Sequence, residues 1–358
     1  PPTEITIGGS NTNTVLATLA VAYPWVPNST VQAIATDIPN DRIYLGGPFT
    51  QLGPNTGGGV PVDTSSSGTI PSLTSFPHVG GTVLVSVSDG SGGWYVGGTF
   101  STAGGVTRNN IAHIKNDRTL DTAWNPNANN TVYTLVVSGN TVYAGGDFTS
   151  IGGGTRNRIA ALDSTTGNAT SWNPNSSSTV RTLVVSDSTV YVGGNFTTIG
   201  GQTRNRIAAL YSTSGTATSW DPNSSSTVNA LVVSGSTIYA GGLFTTIGTQ
   251  ARNRIAALDI SSGAATSWNP DSNGSVNALA VSGSTIYAGG LFTIIGGQNR
   301  NRIAALDNTL GNATSWNPNA SNTVNTIALN LATTAIYIGG AFGSLNGQTR
   351  NRIVALKA

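Results

Sequence analysis

A period constrains this chain more than any single residue does. The phrase G-G-x-F begins at Gly46, Gly97, Gly145, Gly193, Gly241, Gly289 and Gly339, at intervals of 51, 48, 48, 48, 48 and 50 residues. A second phrase, T-V-x-x-hydrophobic, opens units near 30, 82, 131, 179, 227, 275 and 323, with Ser275 in place of threonine. Seven copies of one unit therefore fill nearly all of the 358 residues. Repetition at this length is the mark of an array built from one supersecondary unit.

The unit from 131 to 178 shows what that building block is. "TVYTLVV" and "TVYAGG" are β-rich runs joined by "SGN". A Gly-rich connection leads to "RNRIAALD", the turn "STTGN" leads to "ATSWNPN", and helical periodicity is absent. Short runs separated by turn residues predict a four-stranded antiparallel meander. Four strands in 40 to 50 residues is the signature of a propeller blade. The seventh unit stops at "RNRIVALKA", without a fourth run, while "AYPWVPN" at 22–28 stands before the first T-V phrase. The expected fold is all-β: a seven-bladed propeller over 22–358, closed by an N-terminal strand that completes the last blade, with 1–21 as an arm.

The combination G-G-x-F-T, R-N-R-I-A and T-S-W-N-P-N resembles the delta-60 repeat of bacterial secreted and surface β-propellers. The resemblance covers about 22–358 and implies the fold much more than a function. The first unit departs from it: "TQLGPNTGGGVPVDTSSSG" follows Phe49 without R-N-R, and Phe76 replaces the tryptophan.

Composition narrows the function. Charged residues make up 8% of the chain and the net charge is +2, with no basic tract, which argues against nucleic-acid or polybasic membrane binding. Cysteine is absent, so disulfides and thiolate metal sites are excluded. Methionine is absent too, which fits a secreted chain whose leader has been removed. No apolar run approaches the length of a spanning helix. His78 and His113 are the only histidines, without an acidic cluster beside either in sequence, and no nucleophile elbow or metal-ligand spacing occurs. The expectation is no catalytic residue, no metal and no cofactor. Nine N-x-S/T sequons are near the chance number for this composition.

The repeated residues read as scaffold. Glycine pairs allow close backbone approach. Trp25, Trp124, Trp172, Trp220, Trp268 and Trp316, one per unit, serve inter-blade packing, with sugar platforms as the alternative. Eleven of the 16 basic residues sit in the arginine phrase. Their spacing of two on a strand puts each pair on one face, bonding loop carbonyls and stacking on tryptophan, with an anion-binding ring as the alternative.

Function should then lie where copies differ. The x of G-G-x-F reads Pro48, Thr99, Asp147, Asn195, Leu243, Leu291 and Ala341. The x after T-V reads Gln32, Leu84, Tyr133, Arg181, Asn229, Asn277 and Asn325. Tyr133, Arg181, Leu243 and Leu291 are the candidate face contacts. In the arm, Thr3, Glu4, Ile5, Thr6 and Ile7 have strand character and could add to a sheet edge in another copy. The leading expectation is a non-enzymatic, secreted structural or adhesive surface protein that assembles into a filament through its arm, binding copies of itself or a surface macromolecule. A lectin-like, glycan-binding propeller is the second reading, and a polysaccharide hydrolase or lyase the third.

Overall fold

The computed structural model describes residues 19–21, 27–37, 42–50, 59–63, 77–330 and 334–357. Every named element among them is a β-strand, so no helix is present that could cross a membrane. The third unit is representative. Val132–Ser138 pairs antiparallel with Thr141–Gly146, which pairs in turn with Ile159–Asp163. Gly139, at φ 54°, makes the tight turn between the first two, where a left-handed residue matches the twist of a hairpin. A fourth segment is held by one bridge, Leu162 to Ala169, and by the Thr170 N–H on the Ala161 carbonyl at 2.9 Å. The tryptophan phrase runs on as irregular chain into the next unit.

The same order recurs in Val180–Ser186, Thr189–Gly194 and Ile207–Tyr211, and in the units that follow. In the first unit, where the motif is lost, Gly59–Asp63 supplies the third strand, paired with Arg42–Gly46. Phe76 and Trp25 lie outside the described residues. The last sheet has four strands, in the order Leu19–Val21, Ile353–Lys357, Ala335–Gly340, Val324–Asn330. An N-terminal segment therefore lies beside the C-terminal strand, with Leu19 opposite Leu356 and Val21 opposite Ala355.

The apolar residues do not make one central core; they fill the spaces between consecutive sheets. Tyr143, Ile159, Ala161 and Trp172 of one sheet enclose Val180, Val192, Phe196 and Leu210 of the next. Third strands are buried on both faces, which is why "IAAL" reads as a continuous apolar run rather than an alternating one. Equivalent clusters join the other neighbours, and one joins Tyr337, Ile353 and Ala355 of the last sheet to Val31, Ile43 and Phe49 of the first. Opening strands of consecutive sheets are neighbours along the chain, and Val324–Asn330 also neighbours Ala33–Asp37.

The paired glycines set how close these sheets come. A Cβ on Gly193 would lie 2.6 Å from Thr182 Cγ2 and 2.7 Å from Val228 Cγ1, the latter in the following sheet. A Cβ on Gly194 would lie 2.2 Å from the Thr179 carbonyl oxygen. Neither glycine is in the left-handed region; space, not φ, excludes a side chain here. Gly193→Ala is predicted to cost about 1–3 kcal/mol, the usual penalty of overpacking. In a Val228→Ala background the penalty shrinks, which a double-mutant cycle on denaturant midpoints measures; an undiminished penalty would refute the contact.

Candidate functional site

The arginine phrase is settled by geometry. The two arginines of a pair do not share a strand face, because both precede the third strand. Arg158, Arg206, Arg254, Arg302 and Arg352 have φ of 62° to 66°. The left-handed conformation costs an ordinary residue about 1–2 kcal/mol, offset here by backbone bonds. The Arg206 N–H donates to the Phe196 carbonyl at 2.8 Å, and its own carbonyl accepts from Gly194 N–H at 2.9 Å.

The guanidinium groups then take separate tasks. Arg204 donates to the Thr203 and Thr218 carbonyls at 2.8 and 2.6 Å, tying its own fourth segment. Arg206 donates to the Ser224 carbonyl at 3.1 Å, on the link to the next unit. In the second unit Asn110 replaces the second arginine, keeps φ at 63°, and donates from Nδ2 to Ala128 at 2.8 Å. Among the described residues the guanidinium found over an aromatic ring is Arg181, over Tyr133, and the phrase arginines bond carbonyls instead of stacking on tryptophan.

Tryptophan also bonds between units. The ring nitrogens of Trp124, Trp172, Trp220 and Trp268 donate to the carbonyls of Asp163, Tyr211, Asp259 and Asp307 at 2.7–3.2 Å, each in the following sheet. Trp124, Trp172, Trp220, Trp268 and Trp316 are all buried, at most 7% exposed. That burial removes them as sugar platforms.

The candidate face residues lie where the first and second strands of a sheet meet the next sheet. Tyr133 and Arg181, 48 residues apart in sequence, come together: the Arg181 guanidinium carbon is 5.6 Å from the Tyr133 ring centre. Tyr133 donates to Asp147 Oδ2 at 3.1 Å, and Thr179 donates to Asp147 Oδ1. Arg181 Nε donates to Asn195 Oδ1 at 3.2 Å. Burial, followed by the Asp147 charge, pushes the Tyr133 hydroxyl above its ordinary range. Asp147 and Asn195 belong to the varying G-G-x-F positions, so their part in this network was visible as sequence variation but not as contact. Leu243 and Leu291 occupy the same position in the next two units, 48% and 53% exposed. Between those units Asn229 Nδ2 reaches Asn277 Oδ1 at 3.5 Å. The arm residues Thr3, Glu4, Ile5, Thr6 and Ile7 lie outside the described residues.

A second constellation has no counterpart in the local sequence. His113 stands on a third strand where other units have alanine, as at Ala161, and it is 9% exposed. Its Nδ1 is 3.0 Å from Asp121 Oδ2, its Nε2 is 3.1 Å from Asp89 Oδ2, and its ring stacks on Tyr95 at 4.3 Å. Each ring nitrogen thus faces one carboxylate oxygen. With both nitrogens engaged by carboxylates on different segments, the ring clamps those segments together. Burial pushes the Asp89 carboxyl upward, but His113 and the N–H groups of Ser91 and Gly93 outweigh it and hold it at about 2. Asp121 is lowered in the same way, burial opposing and the bonds from His113, Trp124 and Ala123 prevailing. Among the described residues no group of three or more His, Asp or Glu could hold a metal.

A family model described as a domain of unknown function (DUF5122) β-propeller matches residues 90–123, 140–165 and 186–210. The match supports a β-propeller repeat family and spans parts of three successive units. Among curated proteins none matches this chain. A solved structure, the computationally designed Ika8 protein, is similar over 93% of this chain and 98% of its own, with a TM-score of 0.57 and 15% identity; the likeness is one of fold.

Two outcomes follow from this geometry. Arg206→Ala lowers the unfolding free energy by about 1.5–3 kcal/mol, the range for a bond to a charged donor, measured by denaturant titration; a loss near zero would reject the linking role. Asp89 is held below its ordinary value of 3.8, so its contribution is present above that pH and is lost as pH falls toward 2. Thermal midpoints should fall through that window, and less steeply in His113→Ala; identical profiles would show that the clamp is energetically silent.

Proposed function

We propose that this chain is a seven-bladed β-propeller, closed by its N-terminal segment, acting outside the cell as a non-enzymatic structural or adhesive protein. Closure is supported by interactions that repeat across the chain ends. Arg352 donates to the Pro27 carbonyl at 3.0 Å, as Arg206 does to Ser224 on its own downstream link. A Cβ on Gly339 would meet Val31 Cγ1 at 2.5 Å, as one on Gly193 would meet Val228.

The observation that carries the functional reading is the division of labour between positions. The glycines, arginines and tryptophans copied from unit to unit are consumed by packing and by bonds to carbonyls. Residues that vary gather at the ends of the opening and second strands, where Tyr133, Asp147, Arg181 and Asn195 make a polar sector and Leu243 and Leu291 an exposed apolar one. A surface mixed in this way suits a macromolecular partner better than a small molecule. Assembly is assigned to the arm, with Thr3 to Ile7 adding as a strand to another copy.

Light scattering and electron microscopy of the purified chain, with and without residues 1–18, test the assembly. Fibres or higher oligomers are expected from the full chain and single discs from the truncated one. Discs of one size from both, at high concentration, would overturn the filament reading.

A further inference from the structure

The hairpin after the fourth G-G-x-F phrase borders a groove. In the fourth unit it is formed by Thr198–Ile199, Gln202–Thr203, the Asn173-Pro174-Asn175 stretch and the turn at 214–216, around a space of about 550 Å³. It lies beyond the third strand. Ala217 bridges Leu210, and its N–H donates to the Gly200 carbonyl at 3.0 Å. The strand Val180–Ser186, which carries Arg181, is at the other edge of the same sheet. The groove is therefore distinct from the contact face proposed above.

Its lining has no charged side chain. Asn173, Thr198, Gln202 and Thr203 are exposed, and among the described residues their side chains have no hydrogen-bond partner. Gln202 recurs as Gln250, Gln298 and Gln348, each exposed and each opening the second arm of its hairpin. The fold does not demand it: Val106 and Gly154 stand at that place in the second and third units, and those hairpins form. The repeated glycines, arginines and tryptophans all have internal work. The glutamine is repeated across four successive units without any.

Amides and hydroxyls without charge recognise hydroxyl groups by donating and accepting, and offer nothing to an ion. In the sixth unit Ile294 and Leu310 occupy the places of Thr198 and Ser214, 43% and 62% exposed, and put apolar surface of the kind that fits the C–H faces of a sugar ring at that hairpin. We propose that this groove, and the corresponding places beside Gln250, Gln298 and Gln348, bind a neutral polysaccharide, one station per glutamine-bearing unit. Stations in series on one rigid scaffold raise the avidity for a long polymer above that of any single groove.

Affinity electrophoresis of the full chain through neutral glucans, mannans and galactans, with dextran sulfate as the charged control, tests this. Retardation is expected in at least one neutral polymer and should persist in about 0.5 M salt, where charge attraction is screened. Replacing Gln202, Gln250, Gln298 and Gln348 together by alanine should weaken it at least about tenfold, as lost multivalency would. That variant should keep the wild-type melting temperature, because the four side chains hold nothing inside the protein. Arg181→Glu should leave the retardation unchanged, which separates this site from the contact face. No retardation in any neutral polymer, retardation in dextran sulfate alone, or full retardation of the quadruple variant would each overturn the proposal.

Discussion

The contact between the first glycine of each pair and the valine opening the next unit sets the geometry on which the other interactions depend. With no Cβ at Gly145 or Gly193, the neighbouring sheet approaches until Val180 or Val228 fills the space. At that distance a tyrosine and a tryptophan from one sheet reach the phenylalanine, valine and leucine of the next, so the apolar surface is removed from water between sheets. Burial of this kind is the main favourable term in folding, and each interface repeats it.

Polar interactions then fasten what apolar contact brings together. A tryptophan N–H and an arginine guanidinium each spend themselves on main-chain carbonyls that irregular segments cannot pair in a ladder. Because the fourth segment has only one bridge, most of the chain between units lacks strand partners, and the arginines supply them. This explains how a protein so poor in charge concentrates its arginines in one phrase. The same bond between Arg352 and Pro27 ties the chain ends.

Once scaffold residues are recognised by their internal partners, the remaining ones divide into three kinds. Tyr133, Arg181, Leu243 and Leu291 vary and lie at the ends of opening and second strands. The four hairpin glutamines repeat yet, among the described residues, their side chains have no hydrogen-bond partner. Asp89, His113 and Asp121 form a clamp in a single unit, substituting hydrogen bonds for the alanine packing found at that place in the regular units.

The sequence by itself determined the period, the strands of the regular units, the buried tryptophans and the structural use of glycine, because local turn chemistry and apolar runs repeat in register. It also marked the varying positions. Tertiary structure decided how those residues meet. Arg156 and Arg158 looked like neighbours on one strand face, but the left-handed turn at Arg158 sends them to different carbonyls. Gly59–Asp63 became a third strand without its motif, because its place is fixed by pairing with Arg42–Gly46. Asp89 and Asp121 lie 24 and 8 residues from His113, and only the antiparallel return of the second unit brings both carboxylates to one ring. Local patterning encodes which segments extend and which faces are apolar; the meeting of distant polar groups depends on register and on packing between units, which no short stretch of sequence contains.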